Sequence, residues 1–138
     1  MSSHNAPSRH QFRNADLAWL PSFARMLGAR PPDDFVSNGA TTSPDVILGW
    51  DLRPAAHFHD FHYSDQYPGL RNESARYRAD QIFLQNLNLC GLPRILAVIY
   101  YFRVRLWGHG YYAYSRGWEP QRTLRFWIGL LFGRYVTW

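Results

Sequence analysis

HFHDFHY, residues 57–63, places three histidines, one aspartate and one tyrosine in seven positions. What that cluster does depends on its neighbours. Pro54, three residues upstream, suits the first turn of a helix, where its missing N–H leaves no bond unmade. A helix is therefore expected from about Pro54 to Tyr67, ended by YPGLRN at 67–72. Residues three or four apart on a helix share a face. His59, His62 and Tyr63 then project near one another, and so do Ala56, Asp60 and Tyr63. His59 and Asp60 point about 100° apart. Such a helix offers an imidazole toward a cleft and a carboxylate toward a neighbouring loop.

Working outward, Asn72 or Ser74 is placed to cap a second helix reaching about Leu89. Its apolar set is Ala79, Ile82, Phe83, Leu84 and Leu87, at helical spacing. Cys90-Gly91 closes it, with Pro93 just beyond. Residues 37–53, SNGATTSPDVILGWDLR, read as a structured loop from their content of Gly, Pro, Ser, Thr, Asn and Asp. RPPDDF, 30–35, reads as a linker. NADLAWLPSFARMLGAR, 14–30, reads as a short helix capped by Asn14, interrupted by Pro21 and closed by Gly28. Residues 1–13 are expected to be disordered. RILAVIYYFRVRLWG, 94–108, fits a helix or a strand pair, GHGYYAYSRGWEP is turn-rich, and QRTLRFWIGLLFGRYVTW has the pattern of an amphipathic helix. The expectation is a mainly α single domain over 1–138, with two antiparallel core helices and an aromatic, basic segment over 94–138.

The residues in register across these elements resemble one family. HDFHY fits the HDxxY motif of secreted phospholipases A2. The longer SNGATTSPDVILGWDLRPAAHFHDFHY resembles the bacterial and fungal branch, in which a calcium loop and SPD precede Gly-aromatic, PA and the HD helix. RADQIF, Arg78 to Phe83, matches that branch's second-helix aspartate pattern, and viral capsid phospholipase domains show a similar HDxxY followed by ADxxF. The match covers about residues 37–89 without a gap. The resemblance implies a phospholipase A2-like core there, with His59 as general base, Asp80 as the acceptor on its far nitrogen, and Tyr63 orienting Asp80. It implies a Ca²⁺ ion held by Asp60 and by the loop at Asn38, Gly39 and Ala40. The reaction it implies is hydrolysis of the sn-2 ester of glycerophospholipids to lysophospholipid and free fatty acid. Hydrolysis at neutral pH needs a base for water and positive charge beside the oxyanion, and a histidine near pKa 6.5 suits the first task. Two positions depart from the pattern. Asn38 stands where relatives carry an aspartate, so it offers calcium an uncharged oxygen. Ala40 and Ala56 stand where relatives carry a disulfide pair.

Other readings compete. H-x-H-x-x-H suggests a transition-metal site, but His57 and His59 lie two apart and so on different helix faces. A module that keeps the fold, has weak or no activity and binds membranes or nucleic acid is the main alternative. His57 and His62 have no assigned role and are expected at solvated or rim positions. Asp65 is expected in solvent, Asp45 as a loop brace, and Cys90 as a packing residue. The net charge is +5, with all fixed positive side chains being arginine, 17% aromatic residues and a pI near 9.7. That combination fits either nucleic acid, where bases stack on aromatics and phosphates meet arginine, or an anionic membrane surface, where Trp and Tyr sit at headgroup level. With the resemblance, the expected partner is an anionic glycerophospholipid surface and no nucleic acid is expected. Trp107, Trp118, Trp127 and Trp138 with Arg103, Arg105, Arg116, Arg122, Arg125 and Arg134 are the candidate lipid contacts. The longest apolar stretch, Ile95 to Phe102, is too short to span a bilayer, which takes about 20 residues. One cysteine permits no internal disulfide, and the N-terminus lacks a signal-like apolar run. A cytoplasmic location or non-classical export follows as the expectation, with peripheral membrane association.

Overall fold

The computed structural model describes residues 11–37, 46–47, 49–115 and Trp127. The chain is mainly helical, with α1 at Asn14–Leu17, α2 at Arg53–Tyr63, α3 at Glu73–Leu89 and α4 at Arg94–Trp107. Single 3₁₀ segments cover Pro21–Arg25 and Gly108–Gly110. Strands β1 (Val46–Ile47) and β2 (Trp50–Asp51) form a two-stranded antiparallel hairpin.

α2 begins where Asp51 accepts the Arg53 N–H at 3.1 Å and pairs with its guanidinium at 2.6 Å. It stops at Ser64, short of the expected Tyr67. There the Ser64 hydroxyl donates to the Phe61 carbonyl at 2.8 Å and accepts the Gln66 N–H, so a serine-led turn replaces the next helical turn. α3 starts as the cap predicts, with the Asn72 side chain accepting the Ala75 N–H at 2.8 Å. It ends at Gly91, whose φ of +100 lets Leu92 return its N–H to the Leu87 carbonyl at 3.2 Å. Residues 94–107 form a helix and not a strand pair.

α2 and α3 run antiparallel: Tyr63, late in α2, meets Arg76 early in α3, and His59 meets Asp80. Leu52 and Ala55 pack with Phe83 and Leu87, and α4 adds Ala97, Tyr100 and Val104 to that core. A second cluster, Phe12, Leu17, Phe23 and Phe58, covers the other side of α2. Phe12 belongs to the stretch expected to be disordered, yet it is buried and its carbonyl accepts the Ser37 N–H at 2.9 Å. The expected linker is also packed, since Phe35 lies against the rings of His57 and Phe61. Asn14 does not cap α1. Its amide is buried, donating to the Pro31 carbonyl and Asp33 while accepting from His57. After α4 the chain returns over the end of α2, where Ala113 donates to the Tyr63 carbonyl at 2.9 Å.

Candidate active site

The α2–α3 seam brings His59, Tyr63 and Asp80 together. His59 Nε2 lies 2.8 Å from Asp80 Oδ1, and the Tyr63 hydroxyl donates to the same oxygen at 2.6 Å. With Nε2–H donating to the carboxylate, Nδ1 carries the lone pair. The imidazole sits between the rings of Tyr63 and Phe83, at centroid distances of 4.2 and 4.4 Å. It is 8% exposed, so one edge reaches solvent.

Asp80 is fully buried. Burial alone would raise its pKa, but the His59 hydrogen bond and electrostatic attraction from His59, Arg76 and Arg105 outweigh that and hold it below the usual carboxylate range. Burial and the Asp80 charge push the Tyr63 phenol well above its usual range, against the opposing pull of Arg76, so it remains a donor.

The other Asp80 oxygen opens into an ionic network not expected from the motif. Arg105 of α4 donates to Asp80 Oδ2 and to Glu73 Oε1, both at 2.8 Å. Arg76 forks onto both Glu73 oxygens at 2.8 Å, reaches the Val104 carbonyl at 3.1 Å and lies 3.4 Å from Asp80 Oδ2. Tyr114 donates to Glu73 at 2.8 Å. Two carboxylates and two guanidiniums thus balance in the interior, each with hydrogen bonds to satisfy it. Arg105, expected at the lipid surface, is instead committed to this network. Glu73, Arg76 and Asp80 recur at three- and four-residue spacing, which was the available signal that one face of α3 is ionic.

His57 and His62 are not at a solvated rim; both are buried. His57 donates through Nε2 to the Asn14 amide oxygen at 2.9 Å, and burial lowers its pKa to about 4, which fixes it as neutral. His62 donates through Nδ1 to the Phe58 carbonyl at 2.6 Å and accepts the Ala29 N–H at 3.2 Å. Burial depresses its pKa as well. The three histidines of H-x-H-x-x-H therefore turn to three different partners. Among the described residues, no group of three or more His, Cys, Asp or Glu side chains could hold a metal ion.

Asp60 is half-buried. At about 100° per residue it projects between Tyr63, on the α3 side, and His57, on the side of Phe35. Asn38, Gly39, Ala40 and Asp45 lie outside the described residues, as do Arg116, Trp118, Arg122, Arg125, Arg134 and Trp138. Asp65 is exposed. Cys90 caps α3, and burial pushes its thiol up to about 11. Among the described residues, no helix is long and apolar enough to cross a membrane.

No known family, curated protein or solved structure matches the chain.

Proposed function

We propose that the protein is a calcium-dependent phospholipase A2-type hydrolase, cleaving the sn-2 ester of glycerophospholipids with His59 as general base. The observation that supports this reading most is the pairing of His59 Nε2 with Asp80 Oδ1, with Tyr63 on the same oxygen. That pairing leaves Nδ1 to take a proton from water as the water oxygen attacks the ester carbonyl. The resulting imidazolium would face the Asp80 carboxylate, which favours its charge. Tyr63 holds the accepting oxygen in place. As the tetrahedral intermediate collapses, the same nitrogen would return its proton to the departing glyceryl oxygen.

Asp60 fits a calcium ligand by its chemistry: it is a hard oxygen donor beside the base, on a different azimuth of the same helix. The loop at Asn38, Gly39 and Ala40 begins next to Ser37, which is bonded to Phe12. When bound, calcium would supply positive charge to polarise the carbonyl.

The test is fatty-acid release from mixed phospholipid vesicles, with Ca²⁺ and then with chelator. Turnover should require Ca²⁺ and fall by about 10²–10⁴ in His59→Gln. Wild-type rates in a folded His59→Gln protein would overturn the mechanism. One observation favours a non-catalytic module instead: Asp80 is also a member of the ionic network and has a structural task without chemistry. Absence of release under all calcium conditions would select that reading.

A further inference from the structure

The outward face of α4 is apolar. The helix buries Ala97, Tyr100 and Val104, and on the opposite side stand Ile95, Ile99 and Phe102, which are 74%, 53% and 55% exposed. They recur at i, i+4 and i+7, so they form one stripe along the helix. A helix resting on a protein in water ordinarily carries polar residues there. Here the flanking exposed groups Arg94 and Arg103 are cationic, and α4 contains no acidic residue. Charge divides along the chain in the same way. Through Asp80 there are eight arginines and nine carboxylates; beyond it there are seven arginines and one glutamate. The positive excess therefore belongs to the half that contains α4.

We propose that this stripe is the surface on which the protein lies against an anionic lipid bilayer. Ile95, Ile99 and Phe102 enter the acyl boundary, while Arg94 and Arg103 meet lipid phosphates. The inference concerns adhesion and stands without the hydrolytic reading. Affinity of such a face scales with buried apolar area plus attraction to anionic lipid, and α4 supplies both. Nucleic acid fits the stripe poorly, because bases stack on π faces and guanidinium planes, which Ile95 and Ile99 lack. A second copy fits poorly too, because it would oppose Arg94 and Arg103 with like charges and no carboxylate on the helix.

The test uses the wild-type chain in flotation with ether-linked phosphatidylcholine vesicles, with and without ether-linked phosphatidylglycerol. These lipids have no acyl ester, so binding is read without sn-2 cleavage and a failed hydrolase reading cannot mimic a failed surface. Wild type should float with the phosphatidylglycerol vesicles and be released by added salt, since the attraction is screened over about 8–10 Å at physiological ionic strength. The triple variant Ile95→Ser, Ile99→Ser, Phe102→Ser should bind on the order of 100-fold more weakly. Leu70→Ser, at a 69% exposed leucine on the loop before α3, should bind like wild type. Circular dichroism checks the fold; if the triple variant does not fold, Ile95→Ser alone should weaken binding on the order of tenfold. The proposal is overturned if wild type ignores anionic vesicles or the folded triple variant binds equally well. It is also overturned if Leu70→Ser weakens binding as much, or if the substitutions instead change the protein's oligomeric mass or oligonucleotide retention.

Discussion

Replacing Arg105 with methionine would leave two buried carboxylates, Glu73 and Asp80, sharing the single guanidinium of Arg76. Arg105 now lies 2.8 Å from an oxygen of each. Without it, Asp80 Oδ2 keeps, among the described residues, only the longer 3.4 Å approach of Arg76. Breaking a buried ion pair on one side costs about 3–5 kcal/mol, because the remaining charge is desolvated and uncompensated. Urea denaturation at neutral pH should show a loss of that size. The pH dependence has a definite sign. The pKa of Asp80 is depressed in the folded protein despite the upward push of burial, and Arg105 is one of the charges that depress it. In wild type that depression contributes stability at neutral pH and loses it as pH falls through the carboxylate range. In Arg105→Met the folded-state pKa should rise, so protonation relieves the stranded charge and the deficit should narrow in acid. Adding Glu73→Gln removes one charge of the opposite sign. The double variant should be about 1–3 kcal/mol more stable than the sum of the single losses. An Arg105→Met protein within about 0.5 kcal/mol of wild type, or strictly additive losses in the double variant, would refute the balanced-network argument.

His57 should make the fold acid-sensitive. Burial lowers its pKa from 6.5 to about 4, so the unfolded chain gains a proton that the folded chain refuses, and roughly 3 kcal/mol should be lost as pH falls across that interval. Urea midpoints at stepped pH check this, and His57→Leu should flatten the profile in part, with His62 contributing the remainder in the same direction. Gly28→Ala should cost more than about 1 kcal/mol, because Gly28 has φ +90 and a Cβ there would stand 2.7 Å from the His62 ring; an unchanged thermal midpoint would mean that α2 is not pinned to that loop. Asp60→Asn should abolish calcium binding in calorimetry, Asp80→Asn should leave affinity largely intact while lowering turnover, and Asn38→Asp should raise affinity by adding a charged oxygen. The reverse pattern would exchange the roles of the two aspartates.

The helix pair was legible because its signals are local. Pro54 opens α2, Asn72 caps α3 and Cys90-Gly91 closes it, while Ala79, Phe83 and Leu87 mark the inward face by spacing alone. The juxtaposition of His59 with Asp80 was expected only from the resemblance, because helical spacing alone carries no long-range pairing. α4 was ambiguous because ILAVIYYF is apolar on every side, so neither a two- nor a 3.6-residue period dominates. The burial of His57 and His62 was missed because their partners, Asn14 and Ala29, are 43 and 33 residues away. Arg105 was misassigned for a related reason. An arginine among aromatics suits a lipid surface or a buried carboxylate equally well, and the choice depends on Glu73, 32 residues earlier.

The contact of α4 with Glu73 and Asp80 constrains how this chain can change over generations. An exchange that grafted another apolar helix after Pro93 would keep the hydrophobic contacts with Phe83 and Leu87, yet leave an uncompensated negative charge inside. Segments 73–80 and 94–107 must therefore be inherited as a matched set, or altered by paired substitutions that conserve their summed charge. A lineage in which Arg105 drifts to a neutral residue should show a compensating loss of charge at position 73.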